Sequence, residues 1–288
     1  MSTVRAAQPG VPRHILAASD LSAHGARAVR RGVQLAREHG AELSVLHVSC
    51  PRAESMPRGQ AEARLGAQLP PEAAGDSNVK VMVRWRDSSR SRAIASVARE
   101  RDADLIVLGV RPGPGQPVGN TPKGVTAAGG IPVLLVRDEP RHEYATVLLA
   151  VDRSPDCVYA AQFGLSLTPG ASHIVGHAVV IVGEQLLRLR SVEGTELDSL
   201  RASAAANERP RIEAIARRLR PQPERIVLEP GHPRDAVPRL CRRYGADLVV
   251  VGKGTGGVME RAILGSVSAF LIRWAPSDVL VVPGERTS

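Results

Sequence analysis

The chain has 288 residues, enough for one large or two ordinary domains. Its side chains are 43% apolar but only 2% aromatic, so any packed core must be built from Val, Leu, Ile and Ala. The net charge of +9 is dispersed and rings for base stacking are nearly absent, which argues against a nucleic-acid partner.

No apolar run approaches the roughly 18–20 residues of a membrane span, so no membrane partner is expected. Residues 1–11 lack the apolar stretch of a secretory signal, and Cys50, Cys157 and Cys241 are scattered without CxxC or metal spacing. Both features point to a cytoplasmic protein with structural thiols.

In chain order, residues 14–19 read as a buried strand ending at Asp20. Ser22 caps the next helix, in which Ala26, Val29, Val33 and Ala36 recur at helical spacing, and Gly40 closes it. Residues 42–48 form a second strand. Residues 51–78, rich in Pro, Gly, Ala and charge, read as a loop with one short helix. A strand over 79–85, a helix over 89–101 and a buried strand over 104–109 follow. Residues 111–118 are a Pro/Gly loop, 119–128 a short helix and 132–136 a last strand. The charged stretch 137–144 reads as a linker.

The series then begins again. Residues 146–152 repeat the first strand, with Asp152 matching Asp20; 154–167 repeat the first helix and 173–181 the second strand. Residues 193–219 are helical, and Pro210 is expected to kink or break them. A strand over 225–228, a helix over 236–244, a strand over 247–252, a helix over 266–274 and a strand over 279–282 complete the set. Asp20 to Asp152 is an offset of 132 residues, Asp104 to Asp247 one of 143, and Val133 to Val279 one of 146. The added residues fall at loop sites, which is the mark of an internal duplication. Alternating strands and helices of this size imply an α/β fold with parallel sheets covered on both faces. Ligands in such sheets bind beyond the carboxyl ends of the strands.

One stretch carries most of the chemistry. The strand over 247–252 runs into Gly252-Lys253-Gly254-Thr255-Gly256-Gly257, and Gly265-Ser266 then opens a helix. A strand, a glycine loop and a helix start in that order make an anion cradle, because backbone N–H groups without a Cβ beside them can reach a ligand oxygen. The GxGxxG inside it is not a dinucleotide fingerprint, which belongs after the first strand, and no GxxxxGK[ST] loop is present.

Here the chain resembles the universal stress protein family, whose nucleotide-binding members carry G-x2-G-x9-G-[ST] after the fourth strand and an Asp at the end of the first. Gly252 matches the first glycine, Gly265-Ser266 falls 13 residues later as the pattern requires, and Asp152 matches the Asp. The family's second glycine falls on Thr255, flanked by Gly254 and Gly256. The resemblance covers domains at 13–136 and 145–283. It implies two tandem open parallel five-stranded sheets of the Rossmann-related, adenine nucleotide alpha hydrolase-like type, packed through their closing strands as an intrachain pseudo-dimer. It also implies that ATP or a related adenine nucleotide, with Mg²⁺, lies in the second domain against Ala150, Val151, Asp152, Ala178, Gly252, Gly254, Thr255, Gly265, Ser266, Val267 and Ser268. The first domain has a loop three residues shorter, broken by Pro112, Pro114 and Pro117, and is expected to be degenerate.

Plain structural roles compete with these. Asp152 and Ser266 suit helix caps, each worth about 1 kcal/mol. His47 and His177 occupy equivalent strand ends and line a site or pack. His173 and His177 have HxxxH spacing, but on a strand and without the HExxH glutamate, so no metal site is expected. No general base with a positioned partner is evident, so the expectation is a nucleotide-sensing module with at most slow ATP hydrolysis. The alternatives are a ligand-free stress scaffold acting through protein partners or self-association at sheet edges, and a nucleotide-dependent transferase. Against the transferase, no SGGxDS-type loop follows either first strand.

Overall fold

The computed structural model describes residues 11–49, 56–85, 89–111, 119–128, 130–154, 156–181, 194–254 and 264–284. The first half contains β1 (His14–Ala18), α1 (Ala23–His39), β2 (Glu42–Ser49), α2 (Arg58–Gly66), β3 (Val79–Trp85), α3 (Arg90–Glu100), β4 (Leu105–Gly109), α4 (Asn120–Ala128) and β5 (Val133–Val136). The second contains β6 (Thr146–Ala150), α5 (Cys157–Leu167), β7 (Ser172–Val179), α6 (Gly194–Ala216), β8 (Arg225–Pro230), α7 (Pro233–Tyr244), β9 (Leu248–Gly252), α8 (Ser266–Trp274) and β10 (Asp278–Val282).

The expected pairing of closing strands produces one ten-stranded sheet, in the order β3-β2-β1-β4-β5-β10-β9-β6-β7-β8. Each half is parallel throughout, and β5 and β10 join them antiparallel. At the junction Leu134 faces Leu280, Val133 faces Val281 and Leu135 faces Val279. Because the repeat offset here is 146 residues, Leu134 pairs with its own counterpart. The junction is therefore self-complementary, as across the two-fold axis of a symmetric dimer.

Strand residues alternate between two aliphatic layers, as the two-residue period of a pleated strand demands. Ile15, Ala17, Leu105, Val107, Leu134, Leu149, Val250 and Leu280 lie in one layer, with buried residues of α1, α2, α5 and α6. Leu16, Ala18, Ile106, Leu108, Leu135, Leu148, Val249 and Val281 lie in the other, with residues of α3, α4, α7 and α8. Both layers cross the junction without a break. Burial of each such Leu, Ile or Val contributes about 1.5–3 kcal/mol relative to exposure.

Helix ends follow local chemistry. The Ser22 hydroxyl accepts from the Gly25 N–H, and Gly40 and Gly245 end α1 and α7 in the left-handed conformation, φ 62° and 59°. One expectation fails: α6 runs unbroken through Pro210. Pro210 and Ala206, whose carbonyl loses its N–H partner, are both exposed. Solvent can take the orphaned carbonyl, so no buried group is left unpaired.

Residues 137–144 are not a loose linker. The Arg30 guanidinium donates twice to Glu139, at 2.6 and 2.9 Å, Gln34 donates to the Pro140 carbonyl and Arg31 to that of His142. The segment is laid along α1. Among the described residues no helix is long and apolar enough to cross a membrane.

Candidate functional site

The strand order reverses between β1 and β4 in the first half and between β6 and β9 in the second. These are the switch points where an open α/β sheet leaves a crevice. The two ends of β1 and β6 are built alike. Ser19 N–H donates to Leu46 O and Val151 N–H to Gly176 O. The imidazoles of His47 and His177 are buried, each with Nδ1 2.9 Å from the carbonyl of Ser19 and Val151 respectively. These histidines pin the turn that presents Asp20 and Asp152, a packing role.

Asp152 is exposed, and its Oδ1 accepts from the Ser154 N–H at 2.8 Å and the Ser154 hydroxyl at 2.6 Å. Asp20 repeats the turn with Ser22. The carboxylate thus closes a tight turn ahead of the helix rather than capping it, and Oδ2 is left for a ligand donor. Arg153 pairs with Glu208 of α6, and Glu208 Oε2 stands 3.9 Å from His177 Nε2.

Beyond β9 the chain turns through Gly254, at φ 70°, and returns at Gly265. The Gly265 N–H donates to Lys253 O at 2.9 Å, and a Cβ at Gly265 would stand 2.6 Å from Gly254 O, so only glycine fits the return. The Ser268 hydroxyl donates to Gly252 O at 2.8 Å, so it braces the loop and is not directed at a ligand. The first bond into α8 is Ala269 N–H to Gly265 O. The N–H groups of Ser266, Val267 and Ser268 therefore have no partner inside the helix, and the positive end of its dipole lies with them. Ala150, half-buried, and Val151, buried, end β6, and Ala178 lies on β7 two residues past the Gly176 that pairs with Ala150. Thr255, with residues 256–263, lies outside the described residues.

The halves differ at one point that bears on phosphate. A Cβ at Gly252 would meet only the Ala160 Cβ, at 3.9 Å, whereas one at Gly109 would stand 1.9 Å from His24 O. On the repeat offset of 132, α1 begins two positions earlier than α5, so its first turn presses onto the end of β4. Gly25 permits this, since a Cβ there would stand 2.2 Å from Ser19 Oγ; its counterpart is Cys157.

Lys253 was visible in the sequence only as a residue inside the glycine loop. The structure buries it to 5% exposure, and Nζ donates to Ala127 O in the last turn of α4 at 3.1 Å. The loop of the second half is thereby tied to a helix of the first. Among the described thiols, burial pushes Cys241 up to about 11 and raises Cys157. Neither suits a nucleophile. His173 bonds to the Thr168 hydroxyl, and burial lowers its pKa.

A model of the Universal stress protein family matches residues 12–137 and again 143–283. Over 60 residues the chain is 48% identical to a putative universal stress protein of Staphylococcus epidermidis and 44% identical to one of Staphylococcus haemolyticus. Those matches cover 20% of this chain and 36% of each relative, so the chain spans about a third of their length. A universal stress protein of Archaeoglobus fulgidus is 21% identical at a TM-score of 0.64, covering 94% of this chain and 98% of its own. A putative universal stress protein of Pseudomonas aeruginosa is 18% identical at the same score, covering 95% and 94%. The two structures share the fold, and with the family model matching both halves the chain belongs to the universal stress protein family as a tandem member.

Proposed function

We propose that this chain binds an adenine nucleotide, ATP with Mg²⁺ in the first instance, in its second half, and acts in the cytoplasm as a stress-response sensor or regulator rather than as a fast enzyme. The observation that carries the reading is the open end of β9. No side chain or carbonyl stands over Gly252, and the three N–H groups that start α8 lie beside it. That is the space and the donor set a phosphate chain needs.

The residues fit such a ligand. Gly252, Gly254 and Gly265 keep side chains out of the cradle. Ser266, Val267 and Ser268 offer backbone N–H groups to phosphate oxygens. Asp152 Oδ2 would accept from ribose hydroxyls, and the backbone near Ala178 would meet the base beside Ala150 and Val151. Mg²⁺ supplies charge neutralisation on the phosphates. No described side chain stands as a general base with an orienting partner, which favours binding over turnover.

Calorimetric titration of nucleotide-free protein with ATP and Mg²⁺ tests the reading, alongside Gly252→Val. One site per chain, lost in the variant, is the expected result. Two sites would overturn the assignment to the second half alone. No saturable heat at high ligand would sink the nucleotide reading, and a scaffold acting through protein partners would replace it.

A further inference from the structure

The first half is not a blank copy of the second. The carboxyl ends of β1, β2 and β4, with the starts of α3 and α4, enclose a cleft of about 320 Å³. That lies near the lower end of the roughly 300–1,000 Å³ of small-molecule sites. Its apolar walls are Ala18, Leu46, Val48, Ile94, Leu108 and Val110, each 8% exposed or less. Its polar lining is uneven in charge: Arg90 and Arg111, both exposed, against the single carboxylate of Asp20. His24 also lines it, and burial followed by the charges of Arg27 and Arg111 lowers its pKa, so it adds an uncharged imidazole.

The cleft is unsuited to a phosphate chain for two reasons on the same wall. The His24 carbonyl occupies the space over Gly109 that stays open over Gly252. Pro122 is the third residue of α4, where α8 has Ser268, so one of the three N–H donors at the helix start is missing. Two arginines do the work of the absent cradle, and as guanidinium groups they bind a compact oxyanion through paired donors.

We infer that the cleft of the first half is a second binding site, specific for a compact organic anion with a flat or apolar body and one phosphate or carboxylate. The body rests on Leu46, Val48 and Ile94, the anion meets Arg90 and Arg111, and Asp20 Oδ2 accepts from a ligand hydroxyl. The two halves of the chain have diverged toward different ligands, a phosphate chain in one and a single anionic group in the other. The inference stands on the first half alone and does not need ATP to bind the second.

AMP is a suitable probe, since it has a flat body, hydroxyls and one phosphate. It is titrated into the full chain, into Gly252→Val and into Arg111→Glu, and amide hydrogen exchange maps where it protects. The expected result is one equivalent of AMP that persists in Gly252→Val and weakens by roughly tenfold or more in Arg111→Glu, with protection at the end of β2 and the start of α4. Arg111 is exposed, so its substitution leaves the fold intact. Absence of AMP binding at millimolar concentration would overturn the inference. So would binding lost in Gly252→Val, indifferent to Arg111→Glu, or protecting residues 264–274. If Gly252→Val does not fold, the exchange map of the unaltered chain decides. Failure of ATP to bind would overturn the reading of the second half and leave this one standing.

Discussion

The Tyr144 hydroxyl donates to Asp278 Oδ2 at 2.6 Å across 134 residues of sequence, and both groups are buried where the two halves meet. Around them the Arg31 guanidinium lies 3.9 Å from the centre of the Tyr144 ring, with Nε 3.9 Å from Asp278 Oδ2. The Arg137 N–H donates to Asp278 Oδ1 at 2.7 Å, and the Arg137 side chain donates to the carbonyls of Leu271 and Ile272 near the end of α8. The counterpart of Asp278 in the first half is Pro132, so this network exists on one side of the pseudo-two-fold only.

Removing the phenol hydroxyl tests how far that network holds the halves together. In Tyr144→Phe the ring and its contact with Arg31 remain, while Asp278 Oδ2 loses its closest donor. An acceptor left unpaired at 2% exposure costs about 1–3 kcal/mol. Denaturant unfolding should show a lower midpoint by that amount. A midpoint equal to that of the unaltered chain would mean that the aliphatic junction of β5 and β10 alone sets the interdomain stability.

Two glycines of the second-half loop should behave oppositely when given a methyl group. At Gly265 the new Cβ would press on the carbonyls of Gly254 and Lys253, at 2.6 and 2.9 Å, and the backbone must shift. Gly265→Ala should cost about 1–3 kcal/mol, the range for overpacked sites, and abolish ATP binding. Gly252→Ala has room, so its fold should be unaltered and its effect confined to ligand approach. Thermal melts of both variants with and without ATP separate the cases. Equal melting points would contradict the geometry of the loop return.

The Lys253 to Ala127 contact predicts communication between the halves. A cation at the last turn of a helix is worth about 0.3–1 kcal/mol to that helix. Lys253→Met keeps the apolar stem but removes the donor. Amide exchange in the last turn of α4 should then quicken, while β1 and β4, in the core of the same half, stay unchanged. Unchanged exchange in α4 would show that the contact carries no load.

Much of this architecture is legible in the sequence because it is local or periodic. The alternation of Ile15 with Leu16 and of Ala17 with Ala18 between layers follows from strand geometry. Asp104 and Asp247, the markers of the repeat, do the same job in each copy. Each accepts through Oδ2 from the first backbone N–H groups of its domain: Arg13 and His14 for the one, Ala145 and Thr146 for the other. The glycine spacing places Gly252, Gly265 and α8 together for the same reason, since a strand end and a helix start joined by one loop must be close. What escaped depends on distant contacts. Nothing near Lys253 announces Ala127, and nothing near Asp278 announces Tyr144 or Arg31. The early start of α1, which closes the space over Gly109, shows only when Gly25 and Cys157 are compared in three dimensions. Pro210 misled because the rule against proline assumes that the orphaned carbonyl is buried.

The pH dependence of stability should carry the signature of Asp278. Burial pushes its carboxyl above the ordinary aspartate value; the Arg137 N–H, the Tyr144 hydroxyl and the Arg31 charge pull the other way without cancelling it. The native chain therefore holds this proton after the unfolded chain has released it. Between the ordinary value, about 3.9, and the raised native one, stability falls as pH rises. The contribution is complete below the ordinary value and lost once the pH passes the native one. Asp278→Asn cannot ionise, but its amide turns a donor toward a site built of donors, at a cost of about 1–3 kcal/mol. At acid pH the variant should therefore be the less stable protein, and the gap should narrow as the pH is raised toward about 7. Chemical denaturation of both proteins across that range reads the gap directly. A gap that widens with pH would show that the folded protein favours the charged carboxylate, with Arg31 and the backbone donors outweighing burial.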